Sequence, residues 1–300
     1  MITSVYISNE RIQVLTGATV NKKHIDVKSC MFISLPEKAI VNGVITNEIA
    51  VKEALEKLWG KYDISKKDVY LVIDSGTILN KKIKTPSVLP VSAIQALIQE
   101  EFKEIEGFSN FLFDYSVLED GKQGKPEVLC NAIGKELIAS YIRTFDSVGI
   151  KLKSIDTSIN CELKVFRTNS NMINKDCIVV ILDKNNMTSI LHINGSYNFS
   201  NRSRLLDQRG TEQSKIEIAR NISSIIQFAR SESSRKNLTN MFICGITDEE
   251  ESLCDELSAM IGADVIAIPT CPEITYQGST DSTQFLLSDY LYAVGNLIRL

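Results

Sequence analysis

The chain has 300 residues, of which 44% are hydrophobic and 23% charged, with a formal net charge of −4. That composition describes a soluble globular protein of about two ordinary domains, neither disordered nor fibrous. The acidic balance excludes a broad nucleic-acid footprint, which needs clustered Lys and Arg.

Apolar segments at 4–7 and 12–15 flank Ser8-Asn9-Glu10, and a third strand is expected at 30–35, which predicts a β-meander. Residues 46–61 carry Ile49, Val51, Ala54, Leu55 and Leu58 at helical spacing. A strand at 68–73 turns through Asp74-Ser75-Gly76 into 77–84, and Pro86 ends the pair. Ile94, Leu97, Ile98, Phe102 and Ile105 share one face of a helix over 90–105. Strands at 111–118 and 127–133 flank a loop with Gly121 and Gly124. Residues 135–148 read as an amphipathic helix with Gly149 as its C-terminal cap, and 155–168 as a further helix.

Residues 177–206 read as a second meander. Its first strand, 178–182, breaks at Lys184-Asn185-Asn186, and its second, 188–193, turns at Asn194-Gly195. That dipeptide suits a two-residue type I′ hairpin because both central residues need φ > 0. A third strand carries Tyr197 and Phe199. Two meanders in corresponding positions of two halves suggest a duplicated architecture. A long helix follows over 210–234, then a strand at 238–244 ending at Gly245, a helix at 249–261, a strand at 264–268 and a closing helix from 288. Residues 107–110, 121–126 and 272–284 read as exposed loops.

The chemistry on offer is sparse. Seven scattered cysteines form no CxxC pair, which fits a reducing compartment rather than a disulfide framework. Only His24 and His192 are available for zinc ligation or Ser-His and Cys-His catalysis. No apolar run reaches the length of a membrane span, and the first residues lack the charged start of a signal peptide, so a cytosolic chain is expected. Asp74-Ser75-Gly76-Thr77 has the letters of an aspartic-protease turn, but that chemistry needs a second carboxylate turn. A hairpin turn is the simpler reading. Asp183 ends a buried-looking strand ahead of Thr188, where an actin-like ATPase would hold hydrated magnesium; glycine, which lets backbone approach phosphate, is replaced by Asn185.

The pattern of 81–86, basic and apolar residues ending in Pro86, resembles a strand of the PilM family, the actin-like cytoplasmic proteins of type IV pilus assembly. Residues 97–102 with Glu100 and Glu101, Asp114-Tyr115-Ser116-Val117, and the run from Val128 to Ser140 followed by Gly149-Ile150 and Ile155-Asp156 are similar to consecutive family elements. Glu217-Ile218-Ala219-Arg220 and Ala293-Val294-Gly295-Asn296-Leu297 resemble its later helices. Departures gather where that family holds ATP. Tyr6, Ser8 and Gln13 stand at the Asp, Gly and Lys of its first phosphate loop, and its paired adenosine glycines become Cys244-Gly245. Between Leu206 and Gln213 the two helices carrying its adenosine contact are missing.

The resemblance implies an actin-like (ribonuclease-H-like) duplicated α/β fold with an inserted α/β subdomain in the first half. The first domain is expected over 1–175, with the insert at about 84–153 and the last helix, 288–300, returning to it; a shortened second domain spans 176–284. The cleft residues would be Ser8, Asn9, Gln13, Asp183, Asn185, Thr188 and Gly245, in a degenerate nucleotide site. The implied function is a non-catalytic adaptor of a type IV pilus or related type II secretion platform, peripheral to the inner face of the cell membrane and not inserted in it. Its partner would be the cytoplasmic N-terminal peptide of a PilN-type single-span protein, met by Lys82 and Lys84 on one strand face. A pilus assembly ATPase is a further partner class, and no cofactor is expected. The alternative is an actin-like ATPase that switches or polymerises on ATP and magnesium.

Overall fold

The computed structural model describes residues 1–20, 24–85, 89–119, 126–232, 238, 240–278 and 285–298. In chain order the strands and helices are β1 (Ile2–Ile7), β2 (Arg11–Val20), β3 (His24–Ser34), β4 (Ile40–Val41), β5 (Val44–Ile45), α1 (Glu48–Lys61), β6 (Val69–Ile73), β7 (Leu79–Lys84) and α2 (Val91–Phe102). There follow β8 (Phe111–Glu119), β9 (Glu127–Gly134), α3 (Lys135–Ser147), β10 (Leu152–Thr157) and α4 (Ser158–Thr168). The rest is β11 (Cys177–Asp183), β12 (Asn186–Ile193), β13 (Ser196–Arg204), α5 (Glu212–Glu232), β14 (Asn240–Cys244), α6 (Leu253–Ile261), β15 (Asp264–Ala267), β16 (Ile274–Tyr276) and α7 (Leu287–Leu297). Pro86, Gly121, Gly124 and the end of the 272–284 tract lie outside the described residues.

The chain forms two compact units. One comprises Ile7–Ile12 and Ile33–Asn160. In it β10 runs parallel to β6, and α3 packs on α1. Asn47 starts α1 because its carboxamide oxygen accepts the Ala50 N–H at 3.1 Å, satisfying a donor the helix cannot. The insert is a three-stranded antiparallel sheet ordered β7-β9-β8, covered on one face by α2. Ile94, Ile98 and Phe102 of α2 meet Ile83, Val128, Cys130 and Ala132 there, which is the period of one helix face against the period of one sheet face.

The other unit comprises Met1–Tyr6, Gln13–Phe32 and Cys161–Leu300. The first meander, β1 to β3, is extended by β16, which pairs parallel to β3. The second meander belongs to a five-stranded sheet ordered β13-β12-β11-β14-β15. All of β11 except Asp183 is buried, as a central strand covered on both faces must be. Ile178, Val180 and Leu182 meet Ile218, Ile222 and Ile225 of α5 and Leu253 and Leu257 of α6. Each such side chain contributes roughly 1.5–3 kcal/mol when fully buried, more than helix propensity could supply.

Several sequence expectations change. The helix expected over 155–168 begins as strand β10, whose partner β6 is far off in sequence. The loop expected over 272–284 contains β16 for the same reason. The third strand of the first meander starts at His24 rather than 30, and the helix expected over 249–261 starts with a short 3-10 turn, Asp248–Glu250.

Helix α7 crosses α4 closely. A Cβ on Gly295 would stand 2.1 Å from the Cys161 carbonyl oxygen, whereas one on Gly60, in α1, would meet nothing within 4 Å. Gly295→Val should therefore cost about 3 kcal/mol or more by overpacking, and Gly60→Ala should stabilise by about 0.5 kcal/mol through helix propensity. Urea unfolding of the two variants against wild type measures both signs.

Candidate functional site

The nucleotide-type positions hold themselves in place with the chain's own groups. In the unit with Ile7–Ile12, Ser8 Oγ accepts the N–H groups of Glu10 and Arg11 at 3.1 and 3.2 Å, closing the turn between β1 and β2. Asn9 Oδ1 accepts the Gly43 N–H at 3.4 Å. The donors that a phosphate loop would present are engaged internally at Glu10 and Arg11.

In the other unit, Gln13 is buried on β2 and donates from Nε2 to the Asp289 carbonyl oxygen at 2.8 Å, tying the first meander to α7. Asp183 ends β11 opposite Asn186, and Thr188, on β12, is buried opposite Ile181. Asn185 sits in the turn, its carbonyl accepting the Leu205 N–H at 2.7 Å. Gly245 has φ +75°, and a Cβ there would lie 2.0 Å from the Leu182 carbonyl oxygen, so only glycine fits. Since Ile181 is paired with Cys244, the ends of β11 and β14 lie side by side and bring Asp183, Asn185 and Gly245 to one corner.

Arg209 fills that corner. Its guanidinium donates to the Lys184 carbonyl at 3.3 Å and the Gly245 carbonyl at 3.0 Å. Through Nε and Nη2 it also pairs with both carboxylate oxygens of Glu250, a bidentate geometry that holds planar groups rigidly. Glu250 accepts the Gly210 N–H as well, at 3.2 Å, and closes a capping box with Thr247. Arg209 and Glu250 were not singled out in the sequence; the Thr247-x-x-Glu250 spacing was the one local signal. No helix intervenes between β13 and α5, so the Arg209 loop alone spans that gap.

A second buried polar pair sits beneath the same sheet. His192 Nε2 lies 3.0 Å from Glu162 Oε1, and the Phe166 ring stacks on the imidazole at 3.6 Å. Both side chains are at most 1% exposed. His192 Nδ1 and Glu162 Oε2 have no hydrogen-bond partner among the described residues. Burial, with the Glu162 charge behind it, pushes the Cys177 and Cys244 thiols far up, so both stay protonated and unreactive. Asp74 is buried just past β6 and accepts from Ser158 Oγ at 2.7 Å, which ties it to the start of α4; the hairpin expected there does not form, because β6 pairs with β10 and β7 with β9, in separate sheets.

Lys82 and Lys84 alternate along β7 and share a face, where both reach Glu127 of β9, at 3.4 and 3.3 Å. Lys84 is 67% exposed and Lys82 22%, so the two cations flank one carboxylate and only Lys84 is fully presented to solvent. Lys81 points to the opposite face and pairs with Glu101 of α2. Among the described residues, no helix is long and apolar enough to cross a membrane.

A model of the family of type IV pilus assembly protein PilM matches residues 4–199. The chain belongs to that family. Among solved structures, a chain of a PilM-PilN type IV pilus biogenesis complex is similar over 99% of this chain and 97% of its own, with TM-score 0.83 and 12% identity. The ethanolamine utilization protein EutJ of Carboxydothermus hydrogenoformans is similar over 99% and 89%, with TM-score 0.54 and 10% identity. The cytoplasmic domain of EpsL, an inner-membrane component of the Vibrio cholerae type II secretion system, is similar over 100% and 95%, with TM-score 0.50 and 8% identity. At these identities the likeness establishes the fold, which is the actin-like α/β fold that the sequence resemblance implied. No curated protein matches the chain.

The corner predicts its own stability. Burial alone pushes the Glu250 carboxyl up, but the bonds from Arg209 and Thr247 outweigh it and hold the group below its ordinary 4.5. A lowered folded value means that this stabilisation is complete above the unfolded value and is lost as pH falls through the folded one. Arg209→Ala should cost about 3 kcal/mol at neutral pH, because it leaves a buried carboxylate unpaired. Denaturant melts from pH 7 to pH 3 should show that the gap between variant and wild type narrows in acid.

Proposed function

We propose that this PilM-family chain is a non-catalytic adaptor of a type IV pilus assembly platform, or of the related type II secretion platform. It would work at the cytoplasmic face of the inner membrane, holding the short N-terminal tail of a PilN-type single-span protein. The observation that carries this reading is the near full-length likeness to a chain from a PilM-PilN complex. Extended peptides are read by main-chain hydrogen bonds and alternating side-chain pockets. The basic outer strand β7, with exposed Lys84 beside Lys82, supplies an edge of that kind next to the start of α2. A pilus assembly ATPase remains a further partner class in this reading.

The nucleotide-type positions of each unit support the same conclusion by their chemistry. A triphosphate needs free backbone donors and close backbone approach. Here Ser8 takes two of the turn's donors, Asn185 stands where glycine would serve, and Arg209 occupies the Gly245 carbonyl. We therefore read these residues as a poor fit for ATP and magnesium. The second reading, an actin-like ATPase, rests on Asp183 and Thr188 being present, and the missing glycines count against it.

Two measurements test the proposal. In calorimetry, a synthetic peptide copying the cytoplasmic tail of the single-span protein encoded beside this gene should bind with micromolar affinity, since a disordered segment loses entropy on ordering. Lys82→Ala with Lys84→Ala should weaken it about tenfold. No binding by the wild-type chain overturns the adaptor reading. Separately, 1 mM ATP with magnesium should leave the melting temperature unchanged, whereas a Kd of ~10 μM would add roughly 2.7 kcal/mol. A rise that Asp183→Ala abolishes would favour the ATPase.

A further inference from the structure

The insert has a second groove, on the opposite flank from Lys82 and Lys84. The sheet order β7-β9-β8 puts β7 at one edge and β8 at the other, and the groove lies between β8 and α2. It encloses about 510 Å³, within the size range of sites that take a small ligand or one large side chain with its flanking backbone. Its floor is Phe108, Phe111 and Phe113, all half-buried, over the buried Ile98. Phe108 stacks on Phe113 at 4.9 Å, and Phe113 leans on the buried Phe102 at 5.7 Å, so the floor is braced by the insert's core. Half-buried aromatic rings side by side in a concavity are the signature of an anchor pocket rather than of a finished core.

The rim fixes what the groove would accept. Lys135 is exposed at its mouth, and its Nζ donates to the Ser109 carbonyl oxygen at 2.7 Å, which holds the ammonium there with further protons to give. It is the one charged residue among those lining the groove, and none of the lining residues is a carboxylate. The Tyr115 N–H is taken by Asp114 Oδ1 at 2.8 Å, so an added strand is refused at that point of β8. Recognition here would run through side chains.

We propose that this groove docks a short linear segment of a partner protein that presents one bulky apolar side chain next to a carboxylate. The apolar side chain rests on the three phenylalanines and the carboxylate meets Lys135. This goes beyond the tail reading, because it uses the other edge of the sheet and a different chemistry.

The test is selection of short random peptides displayed on phage against the full chain, followed by anisotropy measurements with the enriched sequences. Enriched peptides should pair an aromatic or branched side chain with an adjacent Asp or Glu. Gln99→Trp, which fills the groove from the exposed face of α2, should weaken them at least about tenfold. Lys135→Glu should weaken them about fivefold and restore binding to peptides carrying Lys in place of the acid. Lys82→Ala with Lys84→Ala should leave these peptides unaffected, which separates this site from the tail. Equal binding by wild type and Gln99→Trp, or no enrichment of apolar-acidic sequences, overturns the proposal. Self-association of the chain that Gln99→Trp abolishes would also overturn it and assign the groove to a second copy.

Discussion

Where α7 crosses α4, Gly295 stands so close to the Cys161 carbonyl that no side chain fits between them. That approach sets the last helix onto the first strands of its unit. Ser4 Oγ donates to the Ala293 carbonyl at 2.7 Å, Gln13 Nε2 to that of Asp289 at 2.8 Å and Thr19 Oγ1 to that of Leu297 at 2.8 Å. These bonds join the first strands to the last helix, and the one to Leu297 satisfies a carbonyl of the last turn, which has no donor within the helix. The residue after Cys161 is Glu162, so the same crossing fixes the depth at which its carboxylate meets His192. A carboxylate at that depth is tolerable only because it is paired.

At Gly245 the ends of β11 and β14 approach so closely that the backbone leaves no room for a side chain. The corner is spanned by Arg209, which ties the Lys184 turn to Gly245 and to Glu250. A guanidinium that bridges two carbonyls and a carboxylate gives rigidity without any bound molecule. The insert carries a basic edge at β7 and an aromatic groove beside β8, at the two edges of one small sheet.

Much of the fold was legible from periodicity alone. The apolar spacing of 212–232 described α5, the unbroken aliphatic run of β11 described a strand buried on both faces, and Asn194-Gly195 described its hairpin. The turn has φ values of +54° and +72°, as that dipeptide requires. These features are set by interactions a few residues apart, so a single stretch of sequence contains their cause. The alternation that places Lys82 and Lys84 on one face is of the same kind.

What the sequence could not decide is whatever depends on a distant partner. β16 is three residues long and exists because β3 offers it hydrogen bonds; the second half of β10, from Ile155, reads locally as the start of a helix because its partner β6 is invisible there. Glu127 as the counter-charge of both lysines, Glu162 under His192, and Arg209 in the Gly245 corner are likewise products of assembly. A charged side chain chooses its partner by proximity in space and by the loss of water on burial, and neither is recorded in the order of residues. The sequence by itself determined the elements whose causes are local, such as α5, β11 and the Asn194-Gly195 hairpin; the tertiary structure alone decided which charged side chains would pair inside and which stay exposed.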